Sequence, residues 1–358
     1  MVTMAYDFKP WDKASYFGSG QDILDYLNEA IDENDLRKKI KCDHRVTKSA
    51  YESAQRMWTL SIEGKKEIKS KFVIFGIGYY SYAKPHRPTF TNEEAFPKDK
   101  IIHAQNWPKD YDVKGKTVAV IGSGATAVTL IPELAKTAEK VIMVQRSPGY
   151  VFAAPLVGPG AWLKPYVPRF LYHWLRRYYD VFDKLYSVVV LSLLPVKGRT
   201  AHKNHVKDML GDSYQNFDAL HFQPKYDLWD QRVCVAPAGD FYKALKTGKA
   251  DIVTGHIKCF TDNGIKMVDR HLVKADLIVL ATGLNMELNL NIVVDGKRLN
   301  EGDLMIYRQT FLSDVPNCAI LFGSTIASWT LSLGPAMRFV CKQLQYMKRN
   351  LSYFLFFS

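Results

Sequence analysis

At 358 residues and 47% hydrophobic content, the chain can bury a large core and has room for two domains or two interleaved ones. Its net charge of +12 is distributed along the chain rather than gathered in one basic block, which argues against a nucleic-acid partner. The five cysteines, Cys42, Cys234, Cys259, Cys318 and Cys341, include no C-x-x-C pair. That spacing excludes a zinc site, a disulfide framework and a dithiol reductase, no metal is expected, and free thiols fit a reducing, cytoplasmic compartment.

The first residues lack the basic-then-apolar pattern of a signal peptide. From Gln21 to Ile40 the apolar Ile23, Leu24, Leu27, Ile31 and Leu36 recur at helical spacing and predict an amphipathic helix. Arg45–Ser49, Met57–Ile62 and Ile68–Ile74 read as strands around a Glu63-Gly64 turn, and Lys71–Ile77 as a buried strand ending at Gly78. Pro85 and Pro88 then break regular structure. Thr117–Ile121 predicts a strand, Gly122–Lys136 a helix and Val141–Gln145 a second strand, together a βαβ unit. Pro148–Tyr226 is aromatic and Pro-rich, reads as mostly helical, and shows no strand pattern. Its most apolar run, Tyr186–Val196, is far short of the roughly 20 residues that span a bilayer. A helical subdomain packed on the body and an interfacial helix making peripheral membrane contact are both readings of this stretch. Strands return at Asp251–Val253 and Ala275–Ala281, and the final SYFLFFS stops without a cap or polar tail, as if cut.

The chemistry concentrates at Gly122-Ser123-Gly124-Ala125-Thr126-Ala127, a G-x-G-x-x-A turn between strand and helix. In that context the first glycine permits the turn, the second lets a pyrophosphate approach, and the small Ala127 lets helix and strand pack closely. Phosphates would then meet the helix amides and dipole. At the end of the second strand, where an NAD site offers a carboxylate to the ribose, this chain has Gln145-Arg146-Ser147. Arg146 and Ser147 can bind a 2′-phosphate, so NADPH is the expected nicotinamide cofactor. Upstream, His103 and Trp107 stand at a domain junction, where packing alone would also explain them.

The stretch Phe96 to Trp107 resembles the F-x-G-x-x-x-H-x-x-x-W fingerprint of Baeyer–Villiger and related flavin-containing monooxygenases. The His103-to-Trp107 spacing matches, but Asp99 stands where the glycine belongs, Pro97 where the phenylalanine belongs, and Phe96 comes one place early. WDQRVCVAPAGDFYKAL, ADLIVLATGLNMELN, VDGKRL and LSDVPNCAILFGSTIASWTL are similar to successive blocks of bacterial FAD-containing monooxygenases of the ethionamide-activating type. The resemblance implies an α/β fold: an NADP-binding Rossmann-like domain inserted in a partial FAD-binding three-layer domain, with a helical subdomain. It divides the chain at 1–104 (FAD side, first FAD βαβ missing), 105–280 (NADP side, helical insert 150–228) and 281–358 (return to the FAD side, incomplete). It further implies an NADPH- and FAD-dependent monooxygenase that uses O2 and a C4a-peroxyflavin. The substrates it implies are a small organic ketone or a sulfur or nitrogen compound. Arg232 takes the role of the catalytic arginine, and Trp329 lies in the block returning toward the cofactors. The family's own amino-terminal G-x-G-x-x-G turn for FAD is not seen in this sequence, so truncation puts activity in question. The alternatives are an inactive NADP-binding remnant or partner protein, and a different flavin or NADP oxidoreductase.

Overall fold

The computed structural model describes residues 1–324 and 328–350; the expectation for SYFLFFS lies outside the described residues. Helix α1 (Gly20–Glu33) starts at a capping box in which the Ser19 hydroxyl accepts from the Asp22 amide while the Asp22 carboxylate accepts from the Ser19 amide. The helix expected as far as Ile40 ends sooner, because Asp35 takes a left-handed φ of 50° and Arg37–Lys39 forms a separate 3-10 turn. Strands β1 (Val46–Glu52), β2 (Met57–Ile62) and β3 (Ile68–Ser70) form an antiparallel run. The expected continuation through Ile74 is broken: the Ser70 hydroxyl donates to the Phe72 carbonyl at 2.7 Å, and the chain leaves this sheet for β4 (Val73–Phe75). Pro85 closes a strand that proline-based reading misses, β5 (Tyr80–Pro85).

Strand β6 (Ile101–His103) precedes the βαβ unit of β7 (Thr117–Ile121), α2 (Ala125–Leu134) and β8 (Lys140–Gln145). The aromatic stretch opens with a strand that was not expected, β9 (Val151–Ala154), before α3 (Arg169–Leu193) and α4 (Pro195–Leu210). Next come β10 (Cys234–Pro237), α5 (Asp240–Lys246), β11 (Ala250–Thr254) and an antiparallel meander of β12 (Ile257–Thr261), β13 (Gly264–Met267) and β14 (Leu272–Lys274). The chain continues through β15 (Leu277–Leu280), β16 (Leu284–Met286), β17 (Ile292–Val294), β18 (Lys297–Arg298), β19 (Ile306–Tyr307), β20 (Phe311–Leu312) and β21 (Cys318–Ile320) to α6 (Trp329–Arg349).

The strands assemble around two cores. In the first, β11-β8-β7-β15-β6 form a parallel sheet whose central strands are apolar on both faces. Val118, Val120, Leu277 and Val279 face α2 and α5, while Ala119, Ile121, Ile278 and Leu280 face the meander. In the second core, the mixed sheet β18-β17-β1-β2-β3, in which β1 and β17 run parallel, packs on the parallel pair β21-β4, and α6 covers the other side of that pair. Trp58 is its fully buried centre, its indole donating to the Asn317 carbonyl at 3.0 Å. The antiparallel pair β5–β16 carries the chain between the two cores.

Strand β9 pairs with β10 along one edge, and the amides of its other edge find imidazoles: Val151 donates to His202 Nε2 at 3.4 Å and Ala153 to His205 Nε2 at 2.8 Å. Burial pushes the His202 imidazole from 6.5 down to about 4, with the His205 charge adding to the effect. A proton on His202 Nε2 would remove its acceptor. Because burial disfavours the charged imidazole, the stability linked to neutral His202 is complete above the unfolded value near 6.5 and is lost as pH falls toward 4, up to roughly 3 kcal/mol. Urea midpoints recorded between pH 7.5 and 5 should fall more steeply for the wild type than for His202→Gln, which keeps an acceptor without a charge; parallel slopes would contradict this account.

Candidate functional site

The connection leaving β7 runs through α2 to β8 on one side, whereas β15 lies on its other side, so a crevice opens beyond the carboxyl ends of β7 and β15. Its floor is tightly built. The Gly122 amide donates to the Val144 carbonyl and the Ala281 amide to the Ile121 carbonyl, both at 2.9 Å. Gly122 has φ of 138°, and a Cβ there would lie 2.3 Å from the Ala281 carbonyl oxygen, so no side chain can replace it. Gly124 differs: a Cβ there would meet no atom within 4 Å, and its φ of −82° suits any residue. The room at Gly124 lies on the cleft side, open to an approaching ligand. At the glycine-to-helix passage from β10 to α5, a Cβ on Gly239 would lie 2.4 Å from the Met209 methyl, so that turn is filled by protein.

The other residues of the fingerprint divide by role. Ala125 and Thr126 are exposed in the first turn of α2, and Ala127 is fully buried against the sheet. Ser123 donates to the Ser147 carbonyl at 2.9 Å, tying the turn to the loop after β8. Arg146 and Ser147 line the cleft, which has a volume of about 520 Å³, together with His86, Phe90, His256 and Thr282. Arg146 is exposed and makes no hydrogen bond or ion pair among the described residues. Gln145 does not join it, which corrects the expectation: it is buried, and its amide donates to the His221 carbonyl and the Thr254 hydroxyl, each at 2.9 Å. The alternation of strand β8 puts neighbouring side chains on opposite faces, which separates Gln145 from Arg146.

His103 stands opposite Leu280 in the sheet, immediately before the Ala281-Thr282-Gly283 turn. Its Nδ1 accepts from the Gln105 amide at 3.1 Å, and burial lowers its pKa, keeping it neutral. Gln105, which sequence reasoning passed over between the two motif residues, donates to the Ser81 and Tyr82 carbonyls at 3.1 Å and so holds β5. Thr282 completes the clasp by donating to the His86 carbonyl at 2.6 Å. Trp107 lies at its base, partly buried and 6.4 Å from the Tyr111 ring. Arg232, Trp329 and one unanticipated residue, Tyr79, form a second cluster. Arg232 donates to the Tyr79 hydroxyl at 3.1 Å and to the Ser324 carbonyl at 3.3 Å. The buried Tyr79 ring lies 4.9 Å from that of Trp329 and 5.0 Å from Phe322. Three residues ahead of Arg232, Trp229 holds a left-handed φ of 79°, a strained conformation for so bulky a side chain.

The sequence profile described as pyridine nucleotide-disulphide oxidoreductase matches residues 4–190. The chain is 39% identical to the FAD-containing monooxygenase EthA of Mycolicibacterium smegmatis, covering 98% of this chain and 72% of that protein. It is 36% identical to the probable FAD-binding monooxygenase AlmA of Acinetobacter baylyi, covering 98% and 71%. The chain belongs to the FAD-containing monooxygenases. Solved structures confirm the fold: a steroid monooxygenase bound to NADP superposes with a TM-score of 0.76 at 21% identity, over 98% of this chain and 76% of that one. A cyclohexanone monooxygenase bound to epsilon-caprolactone gives 0.72 at 19% identity, over 92% and 73%. The five cysteines, Cys42, Cys234, Cys259, Cys318 and Cys341, are all free in the structure.

The two glycines separate packing from ligand binding. Gly122→Ala should lower stability by roughly 2–4 kcal/mol in a denaturant titration. Gly124→Ala should leave stability within about 0.5 kcal/mol of wild type yet weaken NADPH binding about tenfold by calorimetry. Unchanged NADPH affinity in Gly124→Ala would show that no phosphate approaches this turn.

Proposed function

We propose that this chain binds NADPH and FAD and transfers one oxygen atom of O2 to a small organic ketone or to a sulfur or nitrogen centre. Family membership supports the reaction type, and the open space at Gly124, with Arg146 on the rim, carries the nicotinamide assignment. The turn amides and the start of α2 would hold the pyrophosphate, and Arg146 with Ser147 the 2′-phosphate. We assign residues 105–280, with the helical insert 150–228, to the NADP side and 1–104 and 281–358 to the FAD side. A cytoplasmic location agrees with the free cysteines.

The fit to FAD is partial. Phe322 and Trp329, backed by the buried Tyr79 ring that holds the Arg232 cation, offer the flat apolar surface and charge that suit the ring end of such a cofactor. A second glycine turn, Gly18-Ser19-Gly20, leads into α1, but there the Ser19 hydroxyl and the Asp22 carboxylate already occupy the helix start, and the acidic Asp22 opposes a phosphate. FAD, when bound, supplies the oxygen-activating chemistry. The chain's own contribution is positional and electrostatic. Arg232, oriented by Tyr79, places a fixed cation where negative charge develops on oxygen, the device that most lowers such barriers. The clasp of Gln105, His86 and Thr282 fixes how the two cores meet, and neutral His103 adds no competing charge. Among the described residues the Gly124 turn is the one glycine passage into an α-helix that is neither capped by a side chain nor filled by protein, which also favours a second reading, an NADP(H)-binding protein without oxygenase activity.

Protein supplied with FAD and NADPH under air should consume NADPH and yield a ketone- or thioether-derived product one oxygen heavier. Arg232→Ala should cut that product by about 100-fold or more while NADPH affinity holds. NADPH binding with no product in the wild type would select the second reading. Arg146→Ala should weaken NADPH binding about 10- to 100-fold and leave NADH nearly unchanged; equal losses would rule out the 2′-phosphate contact.

A further inference from the structure

Helix α3 is built inside out. Its inward side chains are polar and pin it to residues 1–16: Arg177 donates to the Ala5 carbonyl at 2.7 Å and to Asp7 at 2.8 Å, Asp180 accepts from the Tyr16 hydroxyl at 2.6 Å, and Lys184 donates to the Thr3 hydroxyl at 3.1 Å. The Arg176 guanidinium stacks 4.5 Å from the Tyr16 ring centre. The outward face is apolar. Leu171, Leu175, Tyr178, Phe182, Leu185 and Val189 recur at alternating spacings of four and three, and each is 37% to 68% exposed. A helix on a soluble core shows the reverse arrangement. Trp174 is 55% exposed beside this stripe, and Trp162 and Tyr166 are 70% and 79% exposed in the segment before it. With each aromatic carrying 150–250 Å² and each aliphatic somewhat less, the face leaves on the order of 1,000 Å² of mostly apolar surface uncovered. That is more than a monomer ordinarily shows.

The charge around this face selects what covers it. Residues 161–210 carry nine Lys and Arg against three Asp, and Asp7, Asp12 and Asp227, which pair with Arg177, Lys164, Arg169 and Arg199, reduce that excess of six to three. The helical insert is thus net basic, with Lys197, Lys203 and Lys207 exposed on α4. Two copies meeting through such faces would bring like charges together, whereas an anionic surface would complement them. We propose that α3 and the segment before it form an interfacial anchor that lays the protein on a bilayer containing anionic lipid. Trp162, Tyr166 and Trp174 sit at headgroup level, the Leu171-to-Val189 stripe enters the acyl boundary, and the exposed lysines of the insert, Lys197, Lys203 and Lys207, supply the attraction. No helix among the described residues is long and apolar enough to cross a membrane, so the contact lies on the surface.

The test is flotation of the whole chain with phosphatidylcholine vesicles, with and without phosphatidylglycerol, at low and high salt. Wild type should float with the anionic vesicles at low salt and bind at least about tenfold more weakly to neutral ones. A Phe182→Ser, Leu185→Ser double variant should lose about tenfold or more in partitioning. Both side chains are exposed, so its circular dichroism and NADPH affinity should match wild type. Failure to float with either vesicle, or equal partitioning of variant and wild type, would overturn the proposal. So would a lipid-free dimer in sedimentation velocity that the same variant dissociates, which would make a second copy the occupant.

Discussion

The approach of the Ala281 carbonyl to Gly122 is the contact on which the site depends. A backbone oxygen pressed to within 2.3 Å of where a Cβ would stand allows only glycine, and it locks the ends of β7 and β15 together. Because β7 continues into α2 on one side and β15 turns away on the other, that lock opens the crevice rather than sealing it. Gly124, two residues on, is spared any protein neighbour, so the same turn that is closed underneath is open above.

The same contact ties ligand binding to the passage between cores. Immediately after Ala281, Thr282 donates to His86 on the other crossing segment, and β16 pairs with β5. Gln105 holds the carbonyls of Ser81 and Tyr82 from below, while His103, neutral through burial, accepts from the Gln105 amide. Occupancy of the crevice and the angle of the crossing strands therefore share atoms. Tyr79 lies one residue before β5 and carries the hydrogen bond to Arg232, which brings the second cluster within reach of the same clasp.

What could be read from the sequence was local. The unit Thr117 to Gln145 needs only neighbouring residues to declare itself, and β7 falls on the expected residues, with β8 beginning one residue early. Capping and strand breaks were less legible: Asp35 stops α1 through a backbone angle, and the Ser70 hydroxyl bond divides what looks like one strand. Strand β9 and the meander β12–β14 depend on partners distant in sequence or on burial against the sheet, which periodicity does not report. At the site, Arg146 follows the last residue of β8 and lines the cleft, a position legible from the βαβ pattern, whereas the opposite orientation of Gln145 required the strand's facing. Tyr79 and Gln105 act through contacts 153 and 23 to 24 residues away, so no motif marks them. In α3 the mixture of aromatic and basic residues was visible, but which face turns outward is set by its polar bonds to residues 1–16.

A crystal structure of the chain soaked with NADP+ tests the central claim most directly. The account predicts the pyrophosphate against the Gly124 turn and the start of α2, with the 2′-phosphate within hydrogen-bonding distance of Arg146. Density for the nucleotide elsewhere, or a 2′-phosphate turned into solvent away from Arg146, would contradict it.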